Sequence, residues 1–83
     1  MQIKEVKEFD SFLQSLKKAD KSLLDKLFKQ IDKIIENPDI GKPLRYDMKG
    51  ERTVYVKPYR LIYKVDGETL FLMRFSHRKD VYK

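Results

Sequence analysis

Apolar residues in this chain keep one period in the first half and another in the second, and that switch constrains the fold more than any other feature. Phe9, Phe12, Leu13 and Leu16 are spaced i, i+3, i+4, i+7, which marks one stripe of a short helix. Leu24, Leu27, Phe28, Ile31, Ile34 and Ile35 form a longer stripe, with charged residues filling the other face. Asp20 suits the N-cap of this second helix, because its carboxylate can accept from free backbone N–H groups. Asp25 and Lys29 add an i, i+4 pair, and Pro38 ends the helix near Asn37. From Arg52 onward the period is two. Arg52–Val56 is β-branched and aromatic, Tyr59–Val65 alternates, and Thr69–Phe75 is apolar on both sides, as a central strand would be. Lys57-Pro58 and Asp66-Gly67 are turn signals, the second for a type I′ hairpin. In this register Arg74 shares a face with Leu70 and Leu72. Asn37–Gly50 reads as a loop anchored by Leu44, Gln2–Val6 as a short strand with Ile3 inward, and residues 76–83 as a polar tail.

The expected architecture is α+β, one domain over residues 1–83. An N-terminal strand and a helical hairpin pack on an antiparallel β-meander, and the first strand can add to a sheet edge. Such a two-layer arrangement leaves the second sheet face open.

Charge singles out the second half. The 83 residues carry 19 Lys and Arg against 13 Asp and Glu, a net +6. Residues 1–41 hold eight lysines and eight carboxylates, whereas residues 42–83 hold eleven cations and five carboxylates. All five arginines, all five tyrosines and the single histidine lie in that second part. A one-sided positive field suits a polyanion such as nucleic acid. The chain has no cysteine, which removes disulfides and thiolate metal sites and fits a reducing, cytoplasmic setting. The N-terminus has no signal-peptide pattern, and no run approaches the length of a membrane span.

Several chemistries are poorly supported. One His and no Cys disfavour a zinc site, and no cofactor or metal is expected. Gly41, Gly50 and Gly67 are too far apart for a phosphate loop. The serines sit in helical segments or beside His77 without a nucleophile elbow. What remains is metal-free phosphate chemistry. RNA supplies its own nucleophile, the 2′-OH, and the protein must supply cations and proton carriers. Arginine is a fixed bidentate cation, and histidine suits proton transfer near neutral pH.

Three stretches carry a resemblance: NPDIGKPLR (Asn37–Arg45), KGERTVYVKPYRLIYKV (Lys49–Val65) and HRKDVY (His77–Tyr82). Together they resemble the RelE/ParE toxin superfamily, in particular its short RelE-like members. The resemblance implies the RelE-like fold and a toxin of a type II toxin–antitoxin pair, bound by a RelB-like antitoxin. It implies an endoribonuclease (an mRNA interferase) that cuts mRNA in the ribosomal A site without metal, by 2′-oxygen attack on the adjacent phosphate. Carried onto this chain, Arg60 corresponds to the strand arginine at the scissile phosphate and Arg78 to the C-terminal arginine. Tyr82 corresponds to the C-terminal tyrosine at the substrate base, and His77 to the histidine of some branches. Arg45, Arg52, Lys57, Arg74 and Lys79 are the expected RNA-binding cations. Basic strand residues found in well-known members are replaced here by Thr53 and Tyr55. Two alternatives share the fold: a ParE-like protein inhibitor of DNA gyrase, and a non-catalytic interaction module.

Overall fold

Two amphipathic helices form where the 3.6-residue period predicts them. The computed structural model describes residues 1–44 and 50–77. Helix α1 spans Lys7–Ala19 and helix α2 Lys21–Glu36, with Asp20 alone between them. Asp20 serves both helices: its N–H donates to the Leu16 carbonyl, and its carboxylate accepts from the Leu23 N–H at 3.0 Å. An N-cap of this kind is worth about 1 kcal/mol. At the far end the Asn37 N–H closes α2 on the Lys33 carbonyl before Pro38.

The α2 stripe is rotated from the expected one. Leu23, Leu27, Ile31 and Ile34 are buried, Leu24 packs at the margin, and Phe28 and Ile35 remain exposed. A 3.6-residue period covers roughly a 100° arc, and the six-residue stripe was wider than the sheet can cover.

Among the described residues five strands make one sheet: β1 (Gln2–Glu5), β2 (Lys42–Pro43), β3 (Glu51–Val56), β4 (Tyr59–Asp66) and β5 (Thr69–His77). Their order is β1-β5-β4-β3-β2. The expected meander is β3-β4-β5, and β1 does join its edge, parallel to β5. Ile3 pairs with Leu70 yet stays exposed, because β1 is the edge strand. Strand β2 falls within the expected loop and is held by two residues of β3.

Two boundaries shift. The β4–β5 turn residues are Gly67 and Glu68, since Asp66 pairs with Thr69. Gly67 has φ +61°, and a tight hairpin needs positive φ at its first central position. Strand β5 runs on through Ser76 and His77, paired with Arg60 and Tyr59, where a polar tail was expected. The Lys57-Pro58 peptide is cis.

The core lies between the helices and one sheet face. Leu27, Ile34, Leu61, Tyr63 and Leu70 are fully buried there, each worth about 1.5–3 kcal/mol. Helix α1 packs on β5 and α2 on β3. Phe12 meets Tyr59 and Phe75 edge-on, and those two rings stack at 5.2 Å. Gly41 is fixed by close approach: a Cβ there would lie 2.6 Å from the Tyr63 hydroxyl.

Candidate functional site

Strand alternation sends every second residue of the sheet away from the helices, and the register identifies them. One row across the strands is Tyr55, Arg60 and Ser76. The next is Lys42, Thr53, Ile62 and Arg74, and a third is Glu51, Lys64, Phe71 and Lys4. This face therefore gathers Lys4, Lys42, Arg60, Lys64 and Arg74 against Glu51 and Asp66. It is the cationic side of the sheet.

Arg74 reaches this face through an irregularity. Ile62 pairs with Arg74 but Tyr63 pairs with Leu72, so Met73 is an extra residue in β5. Such a bulge reverses the alternation and re-aims the side chain beyond it. Arg74 thus leaves the Leu70 and Leu72 face expected from simple alternation and joins Arg60. Between the cations lie Ile62 and Thr53, both nearly inaccessible to solvent. The Thr53 Oγ1 is buried with no hydrogen-bond partner among the described residues.

Arg60 is half-buried. Its guanidinium carbon lies 5.1 Å from the centroid of the Tyr55 ring, directly across the strand pair. A cation–π contact of this kind contributes about 0.5–2 kcal/mol and fixes the fork of the guanidinium. Tyr55 was not anticipated as a partner for Arg60. The cross-strand position of the two residues about the Lys57-Pro58 turn is the signal that could have found it.

Two expected site residues lie on the other face. His77 pairs with Tyr59, and their rings meet at 5.6 Å. It belongs to the aromatic group under α1, with the sheet between it and Arg60. Arg52 pairs with Tyr63 on the helix side. There it donates to the Gly41 carbonyl at 2.8 Å and to the Asp39 carbonyl, with the Asp39 carboxylate at 3.5 Å. Its neighbour Tyr63 donates to the Pro38 carbonyl at 2.7 Å and accepts from the Gly41 N–H at 2.9 Å. Burial pushes the Tyr63 phenol up, while the Gly41 N–H and Arg52 pull it back. Arg52 and Tyr63 together hold the chain that leaves α2.

Lys57 is exposed in the β3–β4 turn beside this region. Arg45, Arg78, Lys79 and Tyr82 lie outside the described residues. The expected convergence of Arg60, His77, Arg78 and Tyr82 therefore does not extend to His77, and the described part of the candidate site is Arg60, Tyr55 and Arg74. No described helix is long and apolar enough to cross a membrane.

The arrangement is a two-helix layer on a mixed sheet with a cationic face, and comparison with known proteins gives it a family. The family of ParE toxins of type II toxin–antitoxin systems, parDE, matches residues 3–82. The RelE4 protein of Methanocaldococcus jannaschii is 32% identical over 77 residues, covering 89% of this chain and 82% of that protein. In structure, a YoeB/ParE toxin from Agrobacterium tumefaciens has a TM-score of 0.87 at 19% identity, covering 94% of this chain and 99% of that one. The YoeB-YefM complex from Staphylococcus aureus matches with a TM-score of 0.84 at 14% identity, over 94% of this chain and 97% of the matched chain. The chain belongs to the RelE/ParE toxin superfamily and is a toxin of a type II toxin–antitoxin system.

Proposed function

We propose that this toxin is a metal-independent endoribonuclease that cuts mRNA in the ribosomal A site, with Arg60 on the scissile phosphate. The observation that carries the reading is the Arg60–Tyr55 pair, a preset cation beside an aromatic ring on the sheet face that no described helix covers. In the reaction the 2′-oxygen attacks the adjacent phosphorus. The O2′–P bond forms, the P–O5′ bond breaks, and a 2′,3′-cyclic phosphate and a 5′-hydroxyl result. The 2′-hydroxyl loses its proton to a base, and the leaving oxygen gains one. Negative charge grows on the phosphorane oxygens, where a held guanidinium stabilises it more than it stabilises the ground state. Arg74, aimed to the same face by the bulge, supplies a second cation. Tyr55 offers a π-face to a base, as aromatic side chains do in recognition of single-stranded RNA.

Arg78, Tyr82, Arg45 and Lys79 keep the roles the family resemblance implies, with Tyr82 and Arg78 as the groups for base positioning and charge. His77, packed on Tyr59, supports the end of β5 in this arrangement rather than moving the 2′ proton.

Cleavage of A-site mRNA on purified ribosomes tests the assignment. Arg60→Ala lowers the cleavage rate by about 10²–10³, the loss seen when one preorganised donor is removed. His77→Ala lowers it much less. Undiminished cleavage by Arg60→Ala overturns the site.

The antitoxin is the second proposed partner. The YoeB toxin of Staphylococcus aureus is found in complex with YefM, and an acidic or amphipathic, RelB-like segment fits here as well. Phe28, Ile35 and Ile40 are exposed apolar residues that such a segment can cover. Gyrase inhibition is the competing activity, favoured by the match to the ParE family model. Loss of supercoiling by gyrase on adding the toxin, with mRNA left intact, would establish it instead.

A further inference from the structure

Away from the Arg60 face, α2 and the β3 edge enclose an open groove of about 250 Å³. Lys26, Lys29 and Lys33 line it from α2, Lys57 from the β3–β4 turn, and Gln30, Tyr55 and Val56 complete it. The three helix lysines are spaced i, i+3, i+7 and exposed, so they form one row about 10.5 Å long at 1.5 Å per residue. Among the described residues no carboxylate lines the groove. No described carboxylate lies within ion-pair distance of these four lysines. The zero net charge of residues 1–41 hides this row, because Asp25, Asp32 and Glu36 share α2 with it without lining the groove.

We infer that this groove binds the backbone of a single RNA strand continuous with the strand on the open sheet face. The inference rests on the reading that the Arg60 face binds RNA. Tyr55 is the joint between the two surfaces: it lines the groove and also meets Arg60. A cationic track with an aromatic ring on its path is how single strands are held without sequence preference.

An acidic peptide fits the same groove less well. Strand addition on the β3 edge has to displace the Gln30 side-chain amide, which donates to the Tyr55 carbonyl at 3.3 Å. An amphipathic peptide needs an apolar seat, and Val56, the aliphatic residue of the lining, is itself buried.

The test is fluorescence anisotropy with labelled 2′-O-methyl RNA, which lacks the attacking hydroxyl and cannot be cut by this route. A 12-mer and a 3-mer are titrated over a range of salt against the wild type and the triple variant Lys26→Gln/Lys29→Gln/Lys33→Gln. Circular dichroism confirms that the variant is folded. With the 12-mer, the variant lowers the slope of log affinity against log salt by about 2, near 0.7 per lost phosphate contact. With the 3-mer the slope is unchanged. Lys57→Gln alone gives a smaller loss in the same direction. An unchanged 12-mer slope, tighter binding of a 12-base-pair RNA duplex, or equal competition by a poly-glutamate peptide each overturns the inference. Cleavage is read separately on ribosomes. Should Arg60→Ala cut mRNA normally, the cleavage reading falls while the slope difference still reports on the groove.

Discussion

The two faces of the sheet share every strand and differ in what covers them. Val54, Leu61 and Phe75 form a row under the helices, all buried. One residue along each strand, Tyr55, Arg60 and Ser76 form the neighbouring row on the other side. The first row must fill space against α1 and α2, and its side chains are interchangeable only by volume. The second row has no described helix above it, so it can hold cations whose hydration is not lost to a core. Arg52 and Arg60 show the difference within one residue type. Arg52, on the helix side, is engaged with the carbonyls of Asp39 and Gly41, whereas Arg60, on the open side, lies against Tyr55.

That contrast breaks most visibly at Phe75. Phe75→Ala removes a buried ring from the stack with Tyr59 and Phe12 and should cost about 3–5 kcal/mol. A lower urea midpoint with an unchanged m-value is the expected record. Its counterpart on the open face is Arg60→Ala, which removes the cation–π contact with Tyr55, worth about 0.5–2 kcal/mol of folding stability. Its effect should fall on cleavage instead. If Arg60→Ala unfolds the protein as readily as Phe75→Ala, the open face is a second core and not a site.

Much of this partition could be read from period alone. The helices follow from the stripes at Phe9–Leu16 and Leu24–Ile35, with Asp20 and Pro38 setting their ends. Placing Arg60 opposite Leu61 follows from alternation in Tyr59–Val65. Three features leave little trace in the residues. Strand β2 is two residues long and exists because β3 offers it partners. The parallel pairing of β1 with β5 is a long-range contact. The bulge at Met73 interrupts an apolar run, LFLMRF, in which one additional residue looks like any other, yet it decides the face of Arg74. His77 is a different case: continuing the alternation from Phe75 places it under the helices, but its polar neighbours suggested that the strand had ended. Arg45, Arg78, Lys79 and Tyr82 fall outside the described residues.

Tyr63 sharpens the comparison at intermediate scale, because it is a polar group inside the covered layer. Tyr63→Phe keeps the ring and removes the hydroxyl that serves Pro38 and Gly41. The Gly41 N–H, in a buried residue, then loses its acceptor, at a cost of about 1–3 kcal/mol. Since folding holds the Tyr63 proton more tightly than the unfolded chain does, its contribution is complete below the ordinary phenol value near 10. It is lost as pH rises through the higher folded value. Wild-type stability should therefore fall in strong alkali more steeply than that of Tyr63→Phe. Parallel curves would mean that the phenol is solvated after all.

The smallest effect belongs to the sheet edge, where the covered face runs out. Glu5 pairs with Leu72 on the helix side, and its carboxyl is raised above the ordinary value. Desolvation is the largest cause, followed by a hydrogen bond and repulsion from Asp10, with Lys17 opposing. A raised carboxyl means that the unfolded chain releases this proton first. The contribution of Glu5 to stability is thus complete below about pH 4.5 and declines as pH rises through the folded value. Glu5→Gln cannot ionise and can still donate to Asp10, so it should be slightly more stable than wild type at neutral pH. The gain is at most about 0.5 kcal/mol for a site this exposed, and it should vanish in acid. Thermal melting of both proteins between pH 3 and 8 gives the gap directly. A gap that stays constant with pH, or favours wild type at pH 7, means that Lys17 outweighs Asp10 and that the edge is wetter than its pairing with Leu72 implies.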